Sequence, residues 1–147
     1  MDTDQRFAHA LIRFIRSFGL HKPDRTPCGI DAGVAEAHAL SELSNGSLRQ
    51  MDLVDRLMLS KSTISRLVDG MEGRGWVERR PAPDDCRGVL LLLTTSGMDV
   101  ARRLDKARAN RLRAMLDAVP PGRREDVIEV LTLMEEAAHA SDPKFAA

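Results

Sequence analysis

The stretch from Leu59 to Trp76, LSKSTISRLVDGMEGRGW, constrains this chain more than any other. At about 100° per residue Ile64, Leu67, Val68 and Met71 share one narrow arc of a helix, and that arc must face a core. Ser60 reads as the N-cap, its hydroxyl placed to accept from a backbone N–H that the first turn leaves unpaired. Gly75 ends the helix, because it can take the left-handed conformation just past the cap, and Trp76 then falls where it can pack back on Met71. The opposite arc carries Ser62, Thr63, Ser65 and Arg66 with Lys61 flanking, then Gly70 and Gly73. These side chains are small, hydrogen-bonding or cationic. Such a surface suits close approach to another polar backbone, and an exposed N-terminal turn offers N–H groups to phosphate. The plainer reading of the same arc is a solvated helix face.

The flanking segments favour the first reading. Upstream lies SLRQMDLVDRLML, in which Ser47 and Gln50 have capping-box spacing and Met51, Val54, Leu57 and Met58 form a three-four stripe. Downstream, WVERR, PAPDDCRG and VLLLLT read as strand, turn cluster and strand, a hairpin with Arg87 at its tip. Two helices, the second presenting polar residues, followed by a charged hairpin make the layout of a winged helix-turn-helix. The fold class expected is therefore mainly α with a small β-wing.

These residues also resemble a known family. GWVERRPAPDDCRGVLLLLTTSG is similar to the wing segment of the multiple-antibiotic-resistance regulator (MarR) family, whose pattern has Asp-Arg-Arg at the tip and Leu-Thr before the next helix. Asp85, Arg87, Leu93 and Thr94 match it position for position, and SKSTISRLVDGMEGRG matches as recognition helix. Cys86 departs from the pattern, standing where the first Arg usually is, which bears on one phosphate or wing contact. The resemblance implies a roughly triangular homodimer with interlocked terminal helices and two winged domains below. Its recognition helices would enter successive major grooves about 34–36 Å apart on a pseudo-palindromic operator. It also implies a pocket where the dimer helices meet the winged domain, often used by small aromatic acids. No residue can be assigned to that pocket from sequence; His38, Arg13 and Arg16 are candidates that read equally well as surface polar side chains.

Length and charge set the bounds. A chain of 147 residues is long enough for one domain with a real core. It divides into an N-terminal dimerisation helix and loop (1–30), the winged domain (31–95), and a long linking helix with a C-terminal dimerisation helix (96–147). Lys and Arg balance Asp and Glu at 22 each, so no global basic field announces a polyanion partner. Locally the balance breaks: residues 99–124 carry a net +5 and residues 125–147 a net −5, segments that could neutralise each other. The candidate DNA face holds only Lys61, Arg66 and Arg87 with Arg49 nearby, and dimerisation would double that.

In chain order, residues 3–18 read as a helix with Phe7, Leu11, Phe14, Ile15 and Phe18 on one side, widened by Ala8 and Ile12. HKPDRTPCG breaks it. Asp31 reads as the N-cap of a second helix ending near Ser44, with Asn45-Gly46 closing it. After Thr94, which can cap, some 23 residues of helix span roughly 34 Å. Pro120-Pro121-Gly122 stops them, and residues 123–140 form a last helix with two adjacent apolar stripes. The broad apolar faces of the first and last helices point to a homodimer interface, the alternative being burial within one monomer.

For DNA contacts the sequence nominates Lys61, Ser62, Thr63, Ser65 and Arg66, with Arg66 reading a guanine edge and Arg87 entering the minor groove. Asp85 would orient Arg87 or hold the hairpin through Arg79 or Arg80; it reads equally as a turn-former, and Arg87 as a solvated tip. A second class of function is a thiol or metal sensor. Cys86 lies beside Arg87 and Arg80, which would favour its thiolate, and Cys28 sits in a Pro/Gly loop where Glu36, His38 and Glu42 are the nearest ligand types. Two cysteines without a CxxC otherwise read as unremarkable, and a disulfide is not expected. A third class is a protein-docking winged helix. Single-strand binding is disfavoured because Phe7, Phe14 and Phe18 lie on a core stripe and leave no stacking platform. G-x-S-x-G, H-E-x-x-H and Walker patterns are absent, so neither an enzyme nor a cofactor is expected. The acidic MDTDQ start and the lack of a long apolar run predict a cytoplasmic protein with no membrane partner.

Overall fold

The computed structural model describes residues 1–142, and of residues 85–87 the backbone only. The chain forms two compact units, Met1–Arg108 and Ala109–Ala147.

The first unit opens with α1 (Thr3–Phe18), capped by a reciprocal pair in which Asp2 accepts from the Gln5 N–H and Gln5 accepts from the Asp2 N–H. Gly19, in the left-handed conformation, ends it, and none of its residues is buried. Helix α2 (Val34–Ser44) follows a loop. Its N-cap is Gly33, whose N–H donates to Glu36 at 2.8 Å; Asp31, expected there, lies two residues too early. Ala37, Ala39, Leu40 and Leu43 of α2 are buried.

The next segment departs from expectation. Ser47 and Gln50 do not cap a helix, because Leu48–Arg49 form a short strand, β1, paired with Leu91 and Leu90. Helix α3 (Gln50–Leu57) starts after it, and Asp52 takes the capping role by accepting the Arg49 N–H at 3.2 Å. The shift in start changes the buried face: Leu53 is fully buried, whereas Met51 and Met58 are exposed. Met58 ends α3 in the left-handed conformation, with φ of 54°.

Helix α4 (Lys61–Gly73) buries Ile64, Val68 and Met71, with Leu67 partly covered. Ser60 caps its start by accepting the Thr63 N–H at 3.2 Å. At its end the Trp76 N–H donates to the Met71 carbonyl and the Gly75 N–H to the Glu72 carbonyl, both at 2.9 Å, with Gly75 at φ 74°. This paired closure satisfies two carbonyls that the last turn would otherwise leave open. Strands β2 (Val77–Ala82) and β3 (Asp85–Leu93) then form an antiparallel hairpin, and the sheet order is β1-β3-β2. The strands run further than expected. The turn is Pro83–Asp84, and an irregular register between Pro81↔Val89 and Ala82↔Asp85 places Arg87 in a bulge on the return strand, not at the tip.

Leu40, Leu43, Leu53, Ile64, Met71, Val77, Leu91 and Leu104 close the core of this unit among α2, α3, α4, the sheet and α5 (Thr95–Asp117). Each large aliphatic side chain so buried contributes about 1.5–3 kcal/mol. Thr94 starts α5 as expected. It accepts the Gly97 N–H at 3.0 Å, and its own hydroxyl donates to the Gly75 carbonyl at 2.5 Å.

The second unit comprises α5 from Ala109, a 3-10 turn at Pro121–Arg123 and α6 (Arg124–Ser141). Arg124 joins the two helices by donating to the Val119 and Asp117 carbonyls and pairing with the Asp117 carboxylate. No residue of α6 is buried, and Val127, Ile128, Val130, Leu131 and Leu133 are exposed. In the first unit Phe7, Ile12 and Phe14 of α1 are likewise exposed. Among the described residues no helix is long and apolar enough to cross a membrane.

Candidate nucleic-acid interface

Helix α4 divides lengthwise into three strips. Ile64, Leu67, Val68 and Met71 face the core. Ser65, Asp69 and Glu72, one turn apart on one flank, face β2. Ser62, Arg66, Gly70 and Gly73 remain exposed. The position of the third strip is the main result for function, since only an uncovered strip can enter a groove.

The N-terminal end of that strip is built from hydroxyls. Ser60 Oγ lies 2.8 Å from Thr63 Oγ1 and 3.2 Å from Ser62 Oγ. Lys61, Ser62 and Arg66 are exposed and Thr63 is half-exposed; among the described residues neither Lys61 nor Arg66 makes an ion pair. Two exposed cations and a hydroxyl cluster at a helix N-terminus, where the backbone dipole adds positive potential, form a surface that attracts phosphate. Ser65 differs from its expected neighbours: it is half-buried, and its carbonyl accepts from Arg79, so it sits at the seam between helix and hairpin.

Sequence reasoning missed the residues that make this seam. Arg79 shares a face of β2 with the buried Val77, and its guanidinium reaches Asp69 Oδ1 at 2.7 Å and Glu72 Oε2 at 2.5 Å. Burial works against its charge, but the hydrogen bonds and charges of Asp69 and Glu72 outweigh that, and the group is held above its ordinary value. Arg80 pairs with Glu78. The arginines expected to meet Asp85 therefore have other carboxylates as partners. The side chains of Asp85, Cys86 and Arg87 themselves lie outside the described residues. At the far end of the hairpin Arg49 pairs with Asp84 at 2.6 Å.

The helix is also fixed at its C-terminal end. Arg74 donates to Glu36 at 3.1 Å and to the Asp31 carbonyl at 2.9 Å, and its guanidinium lies 3.8 Å from the centre of the Trp76 ring. Glu36 thereby caps α2 and anchors α4 at once.

A cleft of about 500 Å³ lies elsewhere in the first unit, lined by Leu20, Pro23, Val34, His38, Glu42 and the α3–α4 turn from Arg56 to Leu59. Glu42 pairs with Arg56 at 2.8 Å. His38 is pushed below its ordinary value, first by burial and then by the charge of Arg108, with Glu42 opposing. Arg13 lines a separate groove on α1. The ligand set considered for a metal is dispersed into other tasks: Glu36 holds Gly33 and Arg74, Glu42 holds Arg56, and Cys28 donates to Thr26 Oγ1 at 3.3 Å. Among the described residues no three His, Cys, Asp or Glu are grouped to hold an ion.

Comparison with known proteins points one way. A family model described as MarR family matches residues 31–88. The HTH-type transcriptional regulator YfiV of Bacillus subtilis is 27% identical over 109 residues, 74% of this chain and 68% of that protein. The multiple antibiotic resistance protein MarR of Escherichia coli is 38% identical over 53 residues, 36% of this chain and 37% of that protein. The match thus spans between about a third and two thirds of those relatives' lengths. Among solved structures, Sco3205 of Streptomyces coelicolor, a MarR family regulator solved in complex with DNA, aligns with a TM-score of 0.77 at 22% identity. That alignment covers 97% of this chain and 96% of the other. The three-strip helix, its hairpin and these likenesses converge: residues 31–88 match the MarR family of transcriptional regulators, and the fold is that of a solved member of it.

Proposed function

We propose that this chain is a sequence-specific double-stranded-DNA-binding regulator, acting as a ligand-responsive repressor and binding a pseudo-palindromic operator as a homodimer. The observation that carries the reading is the uncovered strip of α4, with Lys61, Ser62, Thr63 and Arg66 at its N-terminal end and the helix fixed along one flank and at its C-terminal end. Arg66 reads a base edge, Lys61 and the hydroxyls bind phosphate, Ser65 supports the seam, and the hairpin with Asp85 and Arg87 lies along the backbone or minor groove. The exposed apolar faces of α1 and α6 support dimerisation through residues 1–30 and 96–147, and surfaces of that kind mark association sites. The cleft beside His38 supports a small-molecule effector, with apolar walls and a few polar groups suited to an aromatic acid. Its floor is the α3–α4 turn, so an occupant bears directly on the start of the reading helix.

Selection of binding sites from random duplex DNA, followed by fluorescence anisotropy on the selected duplex, tests the reading. Arg66→Ala should weaken binding by ~1–3 kcal/mol and relax preference at one base pair, while Lys61→Ala should weaken all sequences alike and reduce the salt slope by about one. No enrichment of any duplex would refute the proposal.

A further inference from the structure

We propose that Arg79 is a positioning residue for duplex recognition: clamped by Asp69 and Glu72, it sets where the β2–β3 hairpin stands beside the reading strip of α4 without itself touching DNA. The inference rests on the DNA-binding reading above and adds to it a device for holding two reading elements in register.

The geometry argues for a clamp in preference to a phosphate contact. Of the three side chains Arg79 is the least exposed, at 25%, against 62% for Asp69 and 44% for Glu72. Its charge is thus screened from a duplex by the two carboxylates bound to it. The trio carries a net negative charge beside a surface meant for a polyanion, which opposes binding unless it serves another purpose. Placement supplies that purpose. Arg79 stands opposite Leu91, a fully buried residue of the central strand, so a force applied at Arg79 reaches the whole sheet. Its partners lie one turn apart on α4, and a third bond goes to the Ser65 carbonyl at 3.5 Å, so the planar fork fixes orientation as well as distance. The Arg49–Asp84 pair restrains the opposite end of the hairpin.

Two accounts of Asp69 and Glu72 predict opposite signs. If they act only through charge, Asp69→Asn/Glu72→Gln should bind DNA more tightly, since two repulsive charges are gone. If they hold Arg79, the same variant should bind the selected duplex about tenfold more weakly, the loss of one well-placed contact. The titration is run on the full chain at fixed salt and at a temperature where circular dichroism shows both proteins folded. Equal or tighter binding overturns the proposal. Should the double variant not fold, Glu72→Gln alone takes its place, with a loss of about threefold expected. A second readout needs no DNA. Spin labels on Ser62→Cys and Pro83→Cys, in a chain carrying Cys28→Ser and Cys86→Ser, report the helix-to-hairpin distance. The distribution should broaden in the neutralised variant, and an unchanged distribution overturns the clamp. If the natural chain selects no duplex, the DNA reading fails and the recognition role with it, while the label distances still decide whether Arg79 sets the hairpin.

Discussion

Gly97→Ala is expected to destabilise the first unit, against what helix propensity alone would say. In an isolated helix interior, exchanging Gly for Ala is favourable by about 1 kcal/mol. Here Gly97 lies in the first turn of α5, and a Cβ built on it would stand 2.8 Å from the Trp76 carbonyl carbon and nearer still to its oxygen. Ordinary contact begins at 3.4 Å, so the helix would have to retreat by about 0.6 Å for the carbon alone and further for the oxygen. The obstacle is backbone, and that carbonyl already accepts the Thr94 N–H at 3.0 Å. Retreat would stretch both this bond and the one from Thr94 Oγ1 to the Gly75 carbonyl. Overpacking of this kind costs about 1–3 kcal/mol, and each bond lost costs about 1 kcal/mol. After subtracting the propensity gain, the net loss is about 2–4 kcal/mol, which at a urea slope near 2 kcal/mol/M lowers the unfolding midpoint by about 1–2 M. Gly70→Ala is the control. Its nearest foreign atom is 4.0 Å away, so only propensity should act and the midpoint should rise slightly. A Gly97→Ala midpoint equal to or above that of the natural chain would refute the reasoning.

Acid should test His38. Its folded value lies below the ordinary 6.5, so below that pH the unfolded chain takes up a proton that the folded chain resists. The stability it contributes is present above about 6.5 and is lost as pH falls through the folded value; His38→Gln should flatten that part of the stability-pH curve measured by urea titration. Identical curves for the two proteins would count against a depressed His38. For the proposed dimer, Leu131→Glu places a charge in the exposed apolar face of α6 and should halve the mass seen by sedimentation equilibrium at micromolar protein. A dimer that survives both this change and Leu133→Glu would move the interface elsewhere.

What the sequence revealed follows the range of the forces involved. Helices α1 and α5 and both ends of α4 were legible because caps, breakers and apolar period act within a few residues of one another. Strand β1 was not: two residues carry no period, and Leu48–Arg49 are a strand only because Leu90 and Leu91, some forty residues on, pair with them. That pairing moved the start of α3 past Ser47 and turned its buried face to Leu53. The open strip of α4 was legible from its residue types, but Ser65 was assigned to it because nothing local distinguishes a flank facing β2 from one facing solvent. For the same reason Asp69 and Glu72 drew no role from the sequence, and Arg79 was expected to meet Asp85. Alternation with Val77 gave a hint of which way Arg79 points, though not of what it would meet.

The partition of α4 has a consequence for how such regulators diverge. Substitutions toward the core endanger folding, and those toward the hairpin disturb its alignment, so both are expected to be purged. Ser62, Arg66, Gly70 and Gly73 answer to neither constraint. On the proposed reading, these are the positions where a lineage could alter its preferred duplex at least cost to folding and to the hairpin's alignment.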